Sequence, residues 1–322
     1  MASGNDARFG AAVESTYATR VAPARFFPIN GESLGFTYER YFSPALGSGR
    51  WTRPSVTTTK AGTGSFEGDV PTTGFGYLLQ GLHNNTVVPV QDGATASYTQ
   101  THTLDTAPAK SFTIQVQTPT VATSVLVPQD MLGVMFSGLT LSWDAGSVLK
   151  WSIPTVVNNL DLAQALATYT PPVAWTVLSF AGGSLSIGGV TQTDITGGGS
   201  VELGFNLRDN AFALGSGGAM AKPAETEKPT ASGTFTADFV DVTHLNRVVA
   251  NTVADVILKF EGAIIASTFK YTLQITIPSC VFTSPRPTVD GPGIVSQTVS
   301  FSNAAGTSLP PVVVYRSTDT VL

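Results

Sequence analysis

The chain has 322 residues, a formal charge of −5 and a mean hydropathy of +0.17, and only 12% of its residues are Asp, Glu, Lys or Arg, about half the usual share. The weak net acidity argues against a protein that grips nucleic acid through a basic surface. Gly, Pro, Ser and Thr break each apolar run within about ten residues, too short for a membrane-spanning helix of about 20, although transmembrane strands stay open. Such charge poverty has two readings: a large core in a Ser/Thr-rich β protein, or a surface buried against other subunits. The second is the stronger expectation.

The N-terminus, MASGNDARFG, has no cationic stretch followed by an apolar one, so no signal peptide is expected. Strands are expected on both sides of the loop YFSPALGSGRW, and GSFEGDV (Gly64–Val70) leads into a helix over Thr72–Leu82. The loop HNNTVVPVQDGAT follows, containing the formal glycosylation sequon Asn84-Asn85-Thr86, read as a turn. Leu139, Leu141 and Trp143 alternate with polar residues into the turn DAGS, and Leu149, Trp151 and Ile153 run back, the pattern of a half-buried hairpin. NLDLAQALATY (159–169) suggests a short helix joining two halves. Val201, Leu203, Phe205 and Leu207 alternate as one strand, followed by the long Gly/Ala/Pro-rich loop Arg208–Gly233. A second helix is expected with Asp241 or Thr243 as its N-cap and Leu245, Val248, Val249 and Val253 on one face. Phe269–Ile277 alternates as a strand, and the C-terminal PPVVVYRSTDTVL is suited to add a strand to a neighbour's sheet.

Several pieces recur in order. ALGSG occurs at Ala45–Gly49 and Ala213–Gly217, LGF at Leu34–Phe36 and Leu203–Phe205, and GSFEGDV returns as GTFTADF from Gly233, the last two pairs 169 positions apart. SFTIQVQ (Ser111–Gln117) matches TFKYTLQ (Thr268–Gln274) at an offset of 157. The pattern predicts an internal duplication: a first domain over 1–165 and a second over 166–322, each a β-sandwich or open barrel carrying one packed helix.

Residues for chemistry are sparse. His83, His102 and His244 show no metal-ligand spacing, and with Cys280 alone neither a disulfide nor a zinc site of recognisable type is expected. GTGSFEG lacks the third glycine of a dinucleotide loop, and GGSLSIGG is not a nucleophile elbow. No cofactor and no enzymatic activity are expected. Trp143 and Trp151 read as core residues across a hairpin; a sugar-stacking platform formed with Trp51 and Trp175 is the alternative.

The stretch ESTYATRVAPARFFPINGESLGFTYER, the segment GFGYLLQGL and the late IPSCVFTSPRPTVDGPGIVSQTVSFSNA together resemble the tail tube (major tail) proteins of long-tailed bacteriophages, in the same order over nearly the whole chain. Ala18 departs from the glycine expected after Tyr17. The resemblance implies a β-sandwich-plus-helix fold, rings that stack into a hollow tube, passage of double-stranded DNA through it without specific binding, and partners at the tail tip, tape measure and terminator. The protein would then be a virion component assembled in the host cytoplasm, without a membrane partner. Simple tubes of this class have six single-domain subunits per ring, so a duplicated chain suggests a pseudo-hexameric trimer, the alternative being a true hexamer with an accessory second domain. Strand parity then nominates Thr37, Glu39, Thr57, Thr59, Glu202, Asn206, Thr234 and Asp238 as lumen-lining, with an outward, solvent-facing position as the competing assignment. Glu39-Arg40 and Arg208-Asp209 are charge-reversed pairs that would favour unlike neighbours, or else two unrelated exposed pairs. The loops at Ala45, Leu46 and Gly47, and at Ala213, Leu214, Gly215, Lys222, Glu225, Glu227 and Lys228, are the candidates for ring stacking. A terminator, adaptor or decoration protein, or a carbohydrate-binding β-sandwich, are the alternatives.

Overall fold

The computed structural model describes residues 3–46, 50–51, 54–123, 125–172, 176–283, 286–287, 289, 291–303 and 309–322. The fold is mainly β. The strands of the N-terminal half are β1 (Arg8–Val13), β2 (Arg25–Phe27), β3 (Gly31–Glu32), β4 (Gly35–Tyr41), β5 (Val56–Asp69), β6 (Val90–Gln91), β7 (Tyr98–Thr103), β8 (Phe112–Pro119), β9 (Leu126–Phe136), β10 (Gly138–Trp143), β11 (Lys150–Val157) and β12 (Asn159–Asp161). Those of the C-terminal half are β13 (Gly183–Ile187), β14 (Val190–Thr191), β15 (Ile195–Gly204), β16 (Thr230–Asp238), β17 (Ala254–Ala266), β18 (Phe269–Thr283), β19 (Ser296–Asn303) and β20 (Val312–Ser317). The helices are α1 (Phe75–Leu79) and α2 (Thr243–Val249).

The same order of antiparallel pairings runs through each half. β1–β2, β1–β8, β4–β5, β5–β11, β8–β9, β9–β11 and β9–β12 in the first are matched by β13–β14, β13–β17, β15–β16, β16–β19, β17–β18, β18–β19 and β18–β20 in the second. Phe66 and Phe235, the aromatic residues shared by GSFEGDV and GTFTADF, are both fully buried, and each strand ends three residues later at an Asp. The other sequence matches fare differently. Phe66 stands opposite Glu32 and Phe235 opposite Gly199, so the LGF match is two residues out of register, which leaves side-chain parity unchanged. SFTIQVQ belongs to β8 and TFKYTLQ to β18, whereas β8 occupies the place that β17 holds in the other half. The hairpin β6–β7 has no counterpart between α2 and β17.

Two junctions carry strands across the middle of the chain. β10 pairs with both β11 and β15, making one continuous sheet from β4 through β5, β11, β10, β15 and β16 to β19. β20 lies between β18 and β7, so the C-terminal strand expected to join a neighbour's sheet joins the N-terminal half of its own chain. One apolar cluster spans both halves, with Trp143 packed 6.0 Å from Phe260, in keeping with the core reading of Trp143 and Trp151. Trp175 lies outside the described residues, and Trp51 is exposed.

Helix α1 is shorter than expected and runs on as a 3-10 turn over Gln80–Leu82. Phe75, Leu78, Leu79 and Leu82 are fully buried, each worth about 1.5–3 kcal/mol of burial. Its glycines permit the packing: a Cβ on Gly76 would sit 1.7 Å from Oε1 of Gln100, and one on Gly81 2.1 Å from the Phe136 ring. In α2 the expected apolar face is buried only in part: Leu245 and Val248 are half-buried, with Val248 against the core. His244 is buried, while Val249 and Val253 are exposed, and Asp241 Oδ1 accepts from the backbone N–H of Thr243. The helix expected over 159–169 is absent: β12 gives way to an irregular strap. The amide side chains of buried Gln115 and Gln117 donate to Ala165 O and Ala167 O, and Gln115 Oε1 accepts from Ala167 N–H. These bonds compete with helical ones for the same backbone groups, and the exposed Leu162 and Leu166 give a helix no apolar face to bury.

Candidate functional site

The sheet that runs from β4 to β19 has two unlike faces. On one, Trp151, Leu141, Val201 and Phe301 are buried in a single cross-strand row, with Gly68 and Gly233 beneath the large rings. On the other, Glu67, Ser152, Thr140, Glu202, Ser232 and Ser302 stand in one row across six strands. Asp69, Lys150, Ser142, Ser200, Thr234 and Ser300 form the next row. Directly opposed residues in such ladders lie about 4.5–5.5 Å apart, so the face is a sheet of short hydroxyls with carboxylates set into it. Glu39, Glu67, Asp69, Glu202 and Asp238 share this face, and Lys150 is the one basic side chain that register places there among the described residues. The hydroxyl of Thr196 donates to Asp238 Oδ1 at 2.7 Å.

Of the residues nominated from sequence, Thr37, Glu39, Thr59, Glu202, Thr234 and Asp238 lie on this face. Thr57 does not: a bulge at Glu39/Arg40 places Thr58 as an extra residue, and Thr57 pairs with Arg40 instead of following Thr59. Asn206 also leaves it, because β15 ends at Gly204. Asn206 turns at φ 47°, with its side-chain amide donating to Lys228 O. A single strand through Leu207 was the wrong expectation; Leu207 bridges Glu225 instead. Arg208 and Asp209 therefore sit in the loop beyond the strand while Glu39 and Arg40 sit within β4, so the two charge pairs are not at equivalent positions. Glu67, Asp69 and Lys150 were missed, although strand alternation around Phe66 and Trp151 contained the signal.

The loop from Arg208 folds back on the first half. Lys60 N–H donates to Gly218 O at 2.8 Å, Asn158 Nδ2 donates to Met220 O, Met220 is buried, and Lys222 Nζ donates to Ala109 O. Its tip stays out: Ala213, Leu214 and Gly215 are exposed, as are Ala45 and Leu46, with Leu214 at 108% and Leu46 at 98% of full exposure. Gly47 lies outside the described residues. Glu227 and Lys228 are exposed near the base of the loop.

Away from that face, His244 is held on both sides. Arg247 Nη1 donates to His244 Nδ1 at 2.8 Å, which leaves Nε2–H to donate to Asp194 Oδ2 at 2.8 Å, so both ring nitrogens are occupied. Burial pushes the Cys280 thiol up to about 12, away from the thiolate needed for reactivity. Among the described residues no group of three or more His, Cys, Asp or Glu side chains is placed to hold a metal. None of their helices is long and apolar enough to cross a membrane.

Fold and face together define a β-sandwich protein whose sheet continues through both halves. The family model for the phage tail tube protein matches residues 4–302, and the chain belongs to that family. It is thus a structural component of a phage tail, found in the virion and working with further copies of itself and with other tail proteins. Among curated proteins no match was found.

Proposed function

We propose that this chain forms closed rings that stack into the hollow tube through which phage DNA leaves the capsid, each ring consisting of three chains with pseudo-sixfold symmetry. The observation that carries this reading is the polar face of the β4–β19 sheet. It is continuous through both halves, lined by hydroxyls and carries five carboxylates against one lysine. DNA bears one negative charge per about 1.7 Å; a wall of this composition repels it weakly and offers no cationic site on which it would stall. We assign Thr37, Glu39, Thr59, Glu67, Glu202, Thr234 and Asp238 to the lumen.

The chain is read as a duplication of one tube domain, with halves meeting near residue 165 in the strap between β12 and β13. The repeated order of strand pairings supports it. The β10–β15 ladder is the kind of edge-to-edge contact by which successive domains of a ring close a barrel without free edges, and three chains supply six such domains. The exposed tips around Leu46 and Leu214 are assigned to contacts between stacked rings. The base of the second loop, including Lys222, serves instead to hold that loop to the first half.

The test is negative-stain electron microscopy of the purified chain over a concentration series, with native mass measurement of the smallest closed ring. Hollow tubes whose unit ring has the mass of three chains are expected. Six chains per ring would refute the trimer, and single rings that never stack would indicate a terminator or adaptor.

A further inference from the structure

The chain builds the same backbone platform twice. In the first half Val70 N–H donates to Leu149 O at 2.8 Å, and in the second Phe239 N–H donates to Val295 O at 2.8 Å. Val70 and Phe239 each follow directly on the terminal Asp of the long polar-faced strand, β5 or β16. Leu149 and Val295 each directly precede the strand that pairs with it, β11 or β19.

The first platform is filled from the other half of the chain. Leu178 N–H donates to Val70 O at 3.0 Å, Thr72 N–H to Thr176 O at 2.8 Å, and Leu149 N–H to Leu178 O at 2.8 Å. Antiparallel bridges join Pro71 to Val177 and Val148 to Ser179. The second platform is open: Phe239 O, Asp241 N–H and Val295 N–H hold no hydrogen bond among the described residues. Its apolar side chains face solvent, Val240 at 74% and Ile294 at 84% exposure. Unpaired strand backbone beside exposed branched aliphatics is a template for another strand.

What fills the first platform indicates what fits the second. Thr176–Ser179 leads into the 3-10 turn Phe180–Gly182 and then into β13. A second segment of the same build leads into β1: Ser3 followed by the 3-10 turn Gly4–Asp6. The two cap residues have nearly identical backbones, φ −122° and ψ 165° at Ser3 against φ −127° and ψ 162° at Ser179. β1 pairs with β8 as β13 pairs with β17.

We propose that the open platform at Phe239–Val240 and Ile294–Val295 receives the segment leading into Ser3 of a second copy of this chain, as the Val70–Pro71 and Val148–Leu149 platform receives Val177–Ser179. The inference rests on the ring reading and makes the contact between halves within one chain the template for the contact between chains. Docking satisfies Phe239 O and Val295 N–H, the counterparts of Val70 O and Leu149 N–H, and covers Val240 and Ile294. Because donor and acceptor surfaces differ, the contact is heterologous and propagates around a ring.

The counterpart of the Val148–Ser179 bridge is Ile294 of one copy opposite Ser3 of the next. Bridged positions have Cα separations within the range a disulfide spans, roughly 4.4–6.8 Å, and Cys280 is buried. Ser3→Cys with Ile294→Cys, oxidised after assembly and run on a non-reducing denaturing gel, is expected to give a ladder ending at a covalent trimer, while either single variant stays monomeric. Tubes seen by microscopy with all chains monomeric on the gel would overturn the docking and leave the tube reading standing. Should the double variant not assemble, Val240→Asp decides: a folded monomer by circular dichroism that forms no rings is expected, and normal tubes would overturn the proposal. Wild-type chains that form neither rings nor tubes overturn the parent reading, and the docking with it.

Discussion

The carboxylate of Asp319 accepts a 2.7 Å hydrogen bond from the backbone N–H of Gly74, so the N-terminus of α1 is capped from the opposite end of the chain. Gly74 has no side chain to do this and stands at φ 83°. Nearby, the buried Tyr315 hydroxyl donates to Pro71 O at 2.9 Å, and its ring packs 6.1 Å from Phe75. Asp319→Ala should destabilise the protein by about 1 kcal/mol, the usual worth of a cap. It should appear as a lower urea midpoint with an unchanged slope; an unchanged midpoint would remove the capping role.

The strap over β8 is held by side chains rather than by a ladder. Replacing Gln115 with Leu strands Ala165 O and Ala167 N–H and also deprives buried Asp130 of a 2.6 Å donor. A cost of about 1–3 kcal/mol is expected, with faster hydrogen exchange at Ala167. Equal exchange in the variant and the parent would mean that the strap is held elsewhere.

If the polar face lines the lumen, Glu202→Lys combined with Asp238→Lys should leave stability within about 0.5 kcal/mol, since neither side chain is buried. Tubes should assemble while DNA ejection from reconstituted virions slows. Ejection at the parental rate would place this face away from the DNA.

His83 Nδ1 accepts from Asn85 N–H, so its own proton sits on Nε2, 3.0 Å from His102 Nδ1. Burial, with Lys110 beside it, lowers His83 to about 4. Burial and the neighbouring His83 lower His102 to about 3. Between pH 6.5 and about 4 the unfolded chain takes up protons that the folded chain refuses. Stability is therefore complete above pH 6.5 and falls below it, by up to about 1.4 kcal/mol per pH unit for each histidine. Urea unfolding at pH 7 and pH 5 should show this loss, and His102→Asn should reduce it. Identical pH dependence in the two proteins would assign the loss to other groups.

The continuous core predicts one calorimetric unfolding transition for the whole chain, because Trp143 of the first half packs on Phe260 of the second. Two resolved transitions would show that the halves fold as separate units.

Much of this was legible in the sequence because strand alternation is local. The Leu139–Trp143 and Leu149–Ile153 hairpin and the polar face through Glu202 and Thr234 follow from side-chain parity, and the helix after each GSFEGDV-like strand from its short apolar run. What was not legible depends on partners far along the chain. The helix expected at 159–169 loses its backbone groups to Gln115 and Gln117, some 50 residues away. Thr57 is displaced by a bulge, and Asn206 by a left-handed turn that no alternation pattern announces. The strand that carries His102, β7, is paired with β20, which lies more than 200 residues later.

That last pairing bears on how the protein is made. β7 ends at Thr103, but the strand that completes its sheet ends at Ser317. At about 5–20 residues per second, the ribosome needs roughly 10–45 s to bridge that gap. Throughout that time the nascent first half has an uncapped helix, an unpaired edge on β7 and a Phe75 without its tyrosine neighbour. A chain stopped before β20 is thus denied that packing, and maturity of the N-terminal half reports that synthesis has passed Ser317 and Asp319.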